Sequence, residues 1–421
     1  MIKILFYVST LFNVAISEVY QDRLRVYLDN SVKSFQINES EGLSNIEELN
    51  EIESELGIKI KYQAISDPES FIIDNPNHLS TIAIIPNAQG VTNLAERKLI
   101  VSLHDLYIDD KLISHVYSDH LNSITTHNEK IYAGWIRLFP NSLIWYDVSK
   151  FQEQNITFES FDSLMNQTQQ IADEGISPWC ANSESSASTG WIQTNWFEDI
   201  LLTNYGPKIY DEWSNLKINA SNVKIYQTMK ILEEFIFYEN HIFNGPQSIV
   251  NNEYRNLPKV LLDDTTDCFL SWSGHYFRYY IPKTYIYLED FAVTSVPKIN
   301  FEDFIVGVGD NIVLTKDDDL SRQVISKLLS KNFGEIWSSY QDSEFISANK
   351  NFDTNKIKNE LTKYEHSLVH EALEKDLFRY DASEIMARPI GSSKLWVLFR
   401  EYIQKGPENL VILLNNLDKE I

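Results

Sequence analysis

Ser177-Pro-Trp-Cys-Ala-Asn-Ser-Glu-Ser-Ser-Ala-Ser-Thr-Gly-Trp-Ile-Gln-Thr-Asn-Trp-Phe-Glu-Asp199 crowds aromatic rings, carboxylates and small residues into one stretch. Its fixed points are Trp179, Cys180, Glu184, Gly190, Trp191, Trp196, Glu198 and Asp199. An echo follows near the end of the chain, Tyr380-Asp-Ala-Ser-Glu-Ile-Met-Ala-Arg-Pro-Ile-Gly391. Residues of these kinds suit a polar, ring-shaped solute. Aromatic faces cover apolar C–H surface, while carboxylates, amides and guanidinium groups bind a rim of hydroxyls. No stretch reads as a catalytic motif. There is no Gly-x-Ser-x-Gly, and no glycine-rich phosphate loop follows a strand. His366 and His370 stand one helical turn apart but lack the His-Glu-x-x-His order and a third ligand. Asp317-Asp-Asp319 reads as the acidic start of a helix. No metal or cofactor is expected.

The chain has 421 residues, room for two or three domains. Hydrophobic content of 43% with 13% aromatics provides well-filled cores. A formal net charge of −24 argues against nucleic acid, which needs a positive face to displace counterions, and against anionic lipid. The charge itself reads as solubility. Lys3, the mostly apolar run Ile4 to Ile16 and Ala15-Ile16-Ser17 have the layout of a secretory signal peptide over residues 1–17, and no cysteine follows to carry a lipid. A soluble, periplasmic monomer is expected. In an exported protein the two cysteines, Cys180 and Cys268, suggest one disulfide; two separate buried thiols are the alternative.

Working outward, Leu24–Leu28 and Ile58–Tyr62 alternate as strands around an acidic helix from Glu47 to Leu56, which Gly57 stops. Thr81–Ile85 is a continuous apolar run, typical of a strand covered on both faces, and Val91–Arg97 is a short helix. This alternation predicts an α/β domain with a largely parallel sheet. Ile131–Arg137 and Ser142–Tyr146 read as strands flanking Pro140-Asn141. Helices are predicted for Phe158–Ala172, for Trp196–Asn204 (closed by Gly206-Pro207), for Asn222–Glu239 and within Lys356–Asp376. A helical tail is expected over Trp396–Tyr402 and Leu410–Leu417. No flexible linker separates the halves, so the chain is expected to cross between them on ordered segments.

Pro178-Trp179-Cys180, Glu184-Ser185, Thr189-Gly190-Trp191, Thr194-Asn195-Trp196 and Glu198-Asp199, with Gly206-Pro207, Asp267-Cys268 and the tail from Asp381 to Trp396, resemble the extracellular sugar-binding proteins of ABC importers, α-glucoside type. The resemblance covers most of the chain after about residue 45. There are departures. That family usually carries Asp where Asn195 stands, Ser271-Trp-Ser-Gly-His275 replaces a His-Arg-Gln type run, and Arg388 falls in a turn that is usually Met-Met-Pro-like. The resemblance implies a two-lobe, type II, maltose-binding-protein-like fold. A hinge would let the lobes close on a sugar and present it to membrane permease subunits. Expected boundaries are 18–135 for lobe 1, with about 275–340 returning to it, and 136–274 for lobe 2, with about 341–421 returning.

Within that frame the candidate ligand contacts are Trp135, Arg137, Tyr146, Glu184, Gly190, Trp191, Trp272, His275 and Arg388. Trp135, Trp191 and Trp272 neighbour glycines at strand or loop positions, where a ring reaches a cleft; core packing is the alternative. Tyr146 alternates with Trp145 on one strand, so only one of them faces the cleft. Arg137 and Arg388 offer fixed donors to hydroxyls or, alternatively, an inter-lobe ion pair. Glu184 accepts from hydroxyls or from a helix N-terminus. Gly190 permits close backbone approach or a turn. A hydrolase using two carboxylates across a cleft is the competing reading, but no motif pairs them. The same fold holding a non-sugar solute is a further one.

Overall fold

A computed structural model describes residues 25–28, 43–62, 67–77, 81–183 and 190–421. The expected signal peptide and Glu184 lie outside the described residues. Strand β1 (Arg25–Leu28), helix α1 (Leu43–Leu56) and strand β2 (Ile60–Tyr62) come first. Gly57, at φ +65°, ends α1 in the left-handed region that glycine enters without penalty. Helix α2 (Pro68–Asp74) is capped by Asp67, strand β3 (Ile82–Ile85) is buried at all four positions, and helix α3 (Ala88–Glu96) is capped by Asn87. Each cap side chain accepts from an otherwise unpaired amide in the first turn, that of Ser70 and that of Gly90.

Strands β4 (Gly134–Pro140) and β5 (Leu143–Asp147) are separated only by the elbow Asn141-Ser142. Helices α4 (Phe161–Asp173), α5 (Trp191–Ser214) and α6 (Val223–Phe237) follow. Helix α5 begins five residues' worth of chain earlier than expected and continues past Gly206-Pro207. Gly206 turns the chain at φ 75°, ψ 175°, and Pro207 then serves as the first residue of a second helical run, where its missing N–H costs nothing. Strands β6 (Leu270–Trp272), β7 (Phe291–Ser295) and β8 (Ile305–Leu314) precede helix α7 (Glu360–Glu374). Strand β9 (Phe378–Tyr380), the short helix α8 (Ala382–Ile385) and helices α9 (Trp396–Lys405) and α10 (Leu410–Asp418) complete the chain.

The first sheet runs β9-β8-β3-β1-β2, with β4 also paired to β8. The expected parallel arrangement is corrected here. Only β8 and β9 pair in parallel, and β8 runs against both β3 and β4. The spacing of strands and helices identifies elements, but not the direction of a strand that returns from far along the chain. Gly307 and Gly309 lie where β8 meets β4. A Cβ on either would come within 2.5 Å of a β4 carbonyl oxygen. The second sheet, β6-β5-β7, is antiparallel.

Two large cores flank the crossing. The first unites Leu49, Ile84 and Trp135 with Ile312, Val369 and Tyr380, and the second unites Ile144, Trp196 and Phe235 with Trp272, Phe399 and Tyr402. Neither is continuous in sequence. The boundaries differ from those expected from sequence. Phe345 to Tyr380 pack in the first core because α7 lays Val369, Ala372 and Leu373 there, while Tyr276, Val296 and Phe304 pack in the second. Cys180 and Cys268 form a disulfide with Cα atoms 5.3 Å apart, buried beside Trp145 and Phe277.

Candidate functional site

The chain passes between the cores at Asn141-Ser142, at Phe304–Val306 and at Tyr380–Ser383, and helix α5 fastens the first and the last of these passages. Asp199 accepts from the Ser142 hydroxyl and, on its other oxygen, from Trp272 Nε1 at 2.8 Å. Ser142 Oγ in turn accepts from the Val306 amide at 2.7 Å, tying in β8. Glu198 accepts from the Tyr210 hydroxyl and the Ala382 amide, both at 2.8 Å, and from the Ser383 amide at 3.3 Å. Asp381 caps α8 through the Ser383 amide at 2.9 Å. All three acids are buried. Burial pushes Asp199 up to about 7 against the lowering effect of its two donors. Burial, with Asp381 nearby, carries Glu198 well above the carboxylate range, and burial raises Asp381 to about 6. Glu198 and Asp199 belong to the aromatic-rich stretch from Ser177 to Asp199, where no role in ligand contact is expected of them. Two adjacent acids in an otherwise apolar helix were the available signal.

The candidate contacts divide by environment. Trp135 is 1% exposed, donates from Nε1 to the Leu121 carbonyl at 3.2 Å and packs 5.0 Å from Tyr380. Trp272 is held by Asp199, and its carbonyl accepts from Trp196 Nε1 at 2.7 Å. Both rings are core residues here. Tyr146 faces Phe151 and Phe158, with ring centroids 4.5 and 5.5 Å away. Arg137 pairs with Asp310 at 2.5 Å, its guanidinium over Phe139 and Trp337. His275 contacts Glu365 at 2.9 Å and packs 4.7 Å from Phe139. Arg278 binds the same Glu365 oxygen at 2.7 Å. Burial alone would raise Glu365, but these two neighbours outweigh it and hold the carboxyl below its usual range. This group joins α7 to the second half of the molecule from behind the crossing.

Trp191 stands differently. It opens α5, is only partly buried, and meets Tyr276 and Tyr254 edge to face at 4.7 and 5.5 Å. Gly190 precedes it in right-handed helical conformation, and a Cβ there would fall 1.9 Å from the Trp396 carbonyl oxygen. The lack of a side chain therefore lets α5 and α9 approach. Arg388 reaches from the segment between α8 and α9 to Asp67 at the start of α2, 3.1 Å away, joining the two halves. The other Arg388 neighbour, Ser392, accepts no bond from its guanidinium but donates to its carbonyl at 3.3 Å. Arg388 thus stands where the two halves meet, Gly190 and Trp191 pack at the edge of the second core, and Trp135, Tyr146 and Trp272 lie in packed aromatic clusters.

Two cores of interleaved segments, joined by three crossings, define a two-lobe architecture of type II. The bacterial solute receptor AcbH shares it with a TM-score of 0.75 at 12% identity, over 91% of this chain and 95% of AcbH. RafE from Streptococcus pneumoniae gives 0.71 at 12% identity, over 92% and 98% of the two chains. In sequence the chain is 23% identical over 373 residues to the osmoprotective compounds-binding protein GgtB of Synechocystis sp., covering 86% of this chain and 85% of GgtB. It is likewise 23% identical over 359 residues to the alpha-glucosides-binding periplasmic protein AglE of Rhizobium meliloti, covering 82% and 77%. No family model matches. The likenesses in sequence run over most of the chain, and the fold is that of the two-lobe solute receptors. Among the described residues no helix is long and apolar enough to cross a membrane.

Proposed function

We propose that this protein captures a sugar between its lobes, an α-glucoside or a glycosylated osmolyte, and delivers it in the periplasm to the permease subunits of an ABC importer. The observation that carries this reading is the likeness to GgtB and AglE over most of each chain, together with a partly open tryptophan at the head of the helix that fastens two of the crossings. The lobes of this reading are residues 49–138 with 305–380, and 143–304 with 382–418. Trp191 supplies the aromatic face, the Arg388–Asp67 pair ties the lobes together, and Trp135 and Trp272 support the walls from inside. The protein performs no chemistry on its ligand in this reading. Glu198, Asp199 and Asp381, the acids nearest the crossings, spend their oxygens on structural donors and are sealed from solvent, unlike a glycosidase pair.

A thermal-shift screen of the mature protein tests this, with mono- and disaccharides and glycosyl-polyols against amino acids and amines. Ligand at about 100 times its dissociation constant adds about 2.7 kcal/mol. An upward shift with one sugar class is expected. A shift with charged solutes alone would leave the fold and discard the sugar.

A further inference from the structure

Helix α5 carries one polar side chain whose bonding differs from that of its neighbours. At 100° per residue, Trp191, Asn195, Glu198 and Asp199 occupy a single narrow arc of the helix. Glu198 and Asp199 meet five donors between them, from Tyr210, Ala382, Ser383, Ser142 and Trp272. Asn195 sits one turn above these acids and one turn below Trp191. It is 3% exposed, and among the described residues neither its amide nitrogen nor its amide oxygen has a partner. An amide removed from water and left unpaired is unfavourable, and native structures complete such groups with protein, water or ligand. Asn195 lies one turn from Asp199, which holds the passage at Ser142, and from Glu198, which holds the passage at Ala382-Ser383, and one turn from the partly buried Trp191. In a two-lobe binding protein that position is the floor of the cleft.

We propose that the Asn195 side chain is a ligand-binding amide that pairs with a hydroxyl of an uncharged, polyhydroxylated solute, an assignment that rests on the solute-binding reading above. An amide both donates and accepts, and so does a hydroxyl. No basic residue shares the arc, so an anionic group would find no counter-charge on this helix face, and two acids stand one turn below. The sequence places Asn195 beside Trp196, which is packed in the core, and nothing in that local pattern separates a core amide from a binding one.

The test compares the mature wild type with Asn195→Leu, an apolar side chain of similar size. Melting temperature without ligand is measured first. Calorimetric titration follows with maltose, trehalose, sucrose and a glucosylglycerol, and with glycine betaine and glutamate as charged controls. Replacing an unpaired buried amide by an apolar group is neutral or stabilising. The unliganded variant is therefore expected to melt at or above the wild-type temperature, while its affinity for the sugar that wild type binds falls at least tenfold. A lower melting temperature without ligand overturns the inference whatever the titrations give, because it marks a structural amide. Affinity within about twofold of wild type overturns it equally. Should wild type bind only a charged control, the sugar reading fails. A tenfold loss of that binding in Asn195→Leu would still leave Asn195 a ligand contact, and no loss would remove it. Asn195→Val, apolar and smaller, serves as a second variant in case the leucine is too bulky for the site, and is judged by the same two readings.

Discussion

Trp191 and Asp199 lie two turns apart on one helix and do opposite work. Trp191 is held by ring edges and keeps part of its surface open. Its replacement by Ala removes a flat apolar face from the edge of the second core with little loss of core packing. Affinity for the cognate sugar should fall by more than about tenfold, roughly 1.4 kcal/mol, with an unchanged circular-dichroism spectrum. Titration that matches wild type would take Trp191 out of the site. Asp199 is a structural acid whose folded carboxyl titrates at about 7, against about 4 in the unfolded chain. Between those values the native state holds the extra proton, so this group's contribution to stability declines as pH rises. Wild type should therefore lose stability relative to Asp199→Asn as pH is raised from about 4 to about 7. Urea unfolding of both proteins across that range measures the difference. Parallel curves would mean that Asp199 is not the group responsible.

At the scale of elements, the disulfide joins the strand-like segment ahead of Trp191 to β6. Cys180 N donates to the Leu270 carbonyl at 2.8 Å beside the Cys180–Cys268 bridge. The two cysteines are 88 residues apart, and a cross-link over a loop of that size stabilises by about 4–5 kcal/mol in the chain-entropy model. Reduction should lower the melting temperature markedly and weaken ligand binding through the Trp191 segment. A reduced protein that melts with the oxidised one would show that sheet and helix contacts hold this region alone. Helix α5 also shows why element boundaries were only partly legible. Its apolar spacing from Trp196 onward was clear, but its first turn begins at a glycine with no capping side chain, and its kink was indistinguishable from a stop. Helix α7 was legible throughout, because Asn359 caps it and its apolar stripe keeps helical spacing.

Across the whole molecule the two halves meet through ion pairs of different kinds. The Asp67–Arg388 pair is exposed, with Arg388 at 54% and Asp67 at 37%, so its effect on global stability should stay within about 1 kcal/mol. Its effect on lobe closure is separable by salt. Arg388→Ala should weaken sugar binding at low ionic strength and match wild type near about 1 M salt, where exposed charges are screened. Titrations at both salt concentrations decide this. A deficit that persists at high salt would assign Arg388 to the ligand instead of to the other lobe. The tie from Glu365 to His275 and Arg278 is buried behind the crossing, where salt penetrates poorly, and should resist the same treatment.

By itself the sequence determined most of the long helices and several strands, and through the Trp179–Asp199 stretch the resemblance that implied the fold class, since periodicity and motifs are local and survive in one dimension. It also named Trp191 as a candidate beside Trp135 and Trp272, because a tryptophan next to a glycine is a local feature. Only the tertiary structure decided which aromatics are walls and which are surface. Trp135, Trp191 and Trp272 each lie close to a glycine, yet burial depends on what distant segments lay over them. The same holds for the direction of β8, the assignment of α7 to the first core and the isolation of Asn195. Each is set by contacts between residues far apart in the chain, which no reading of neighbours contains.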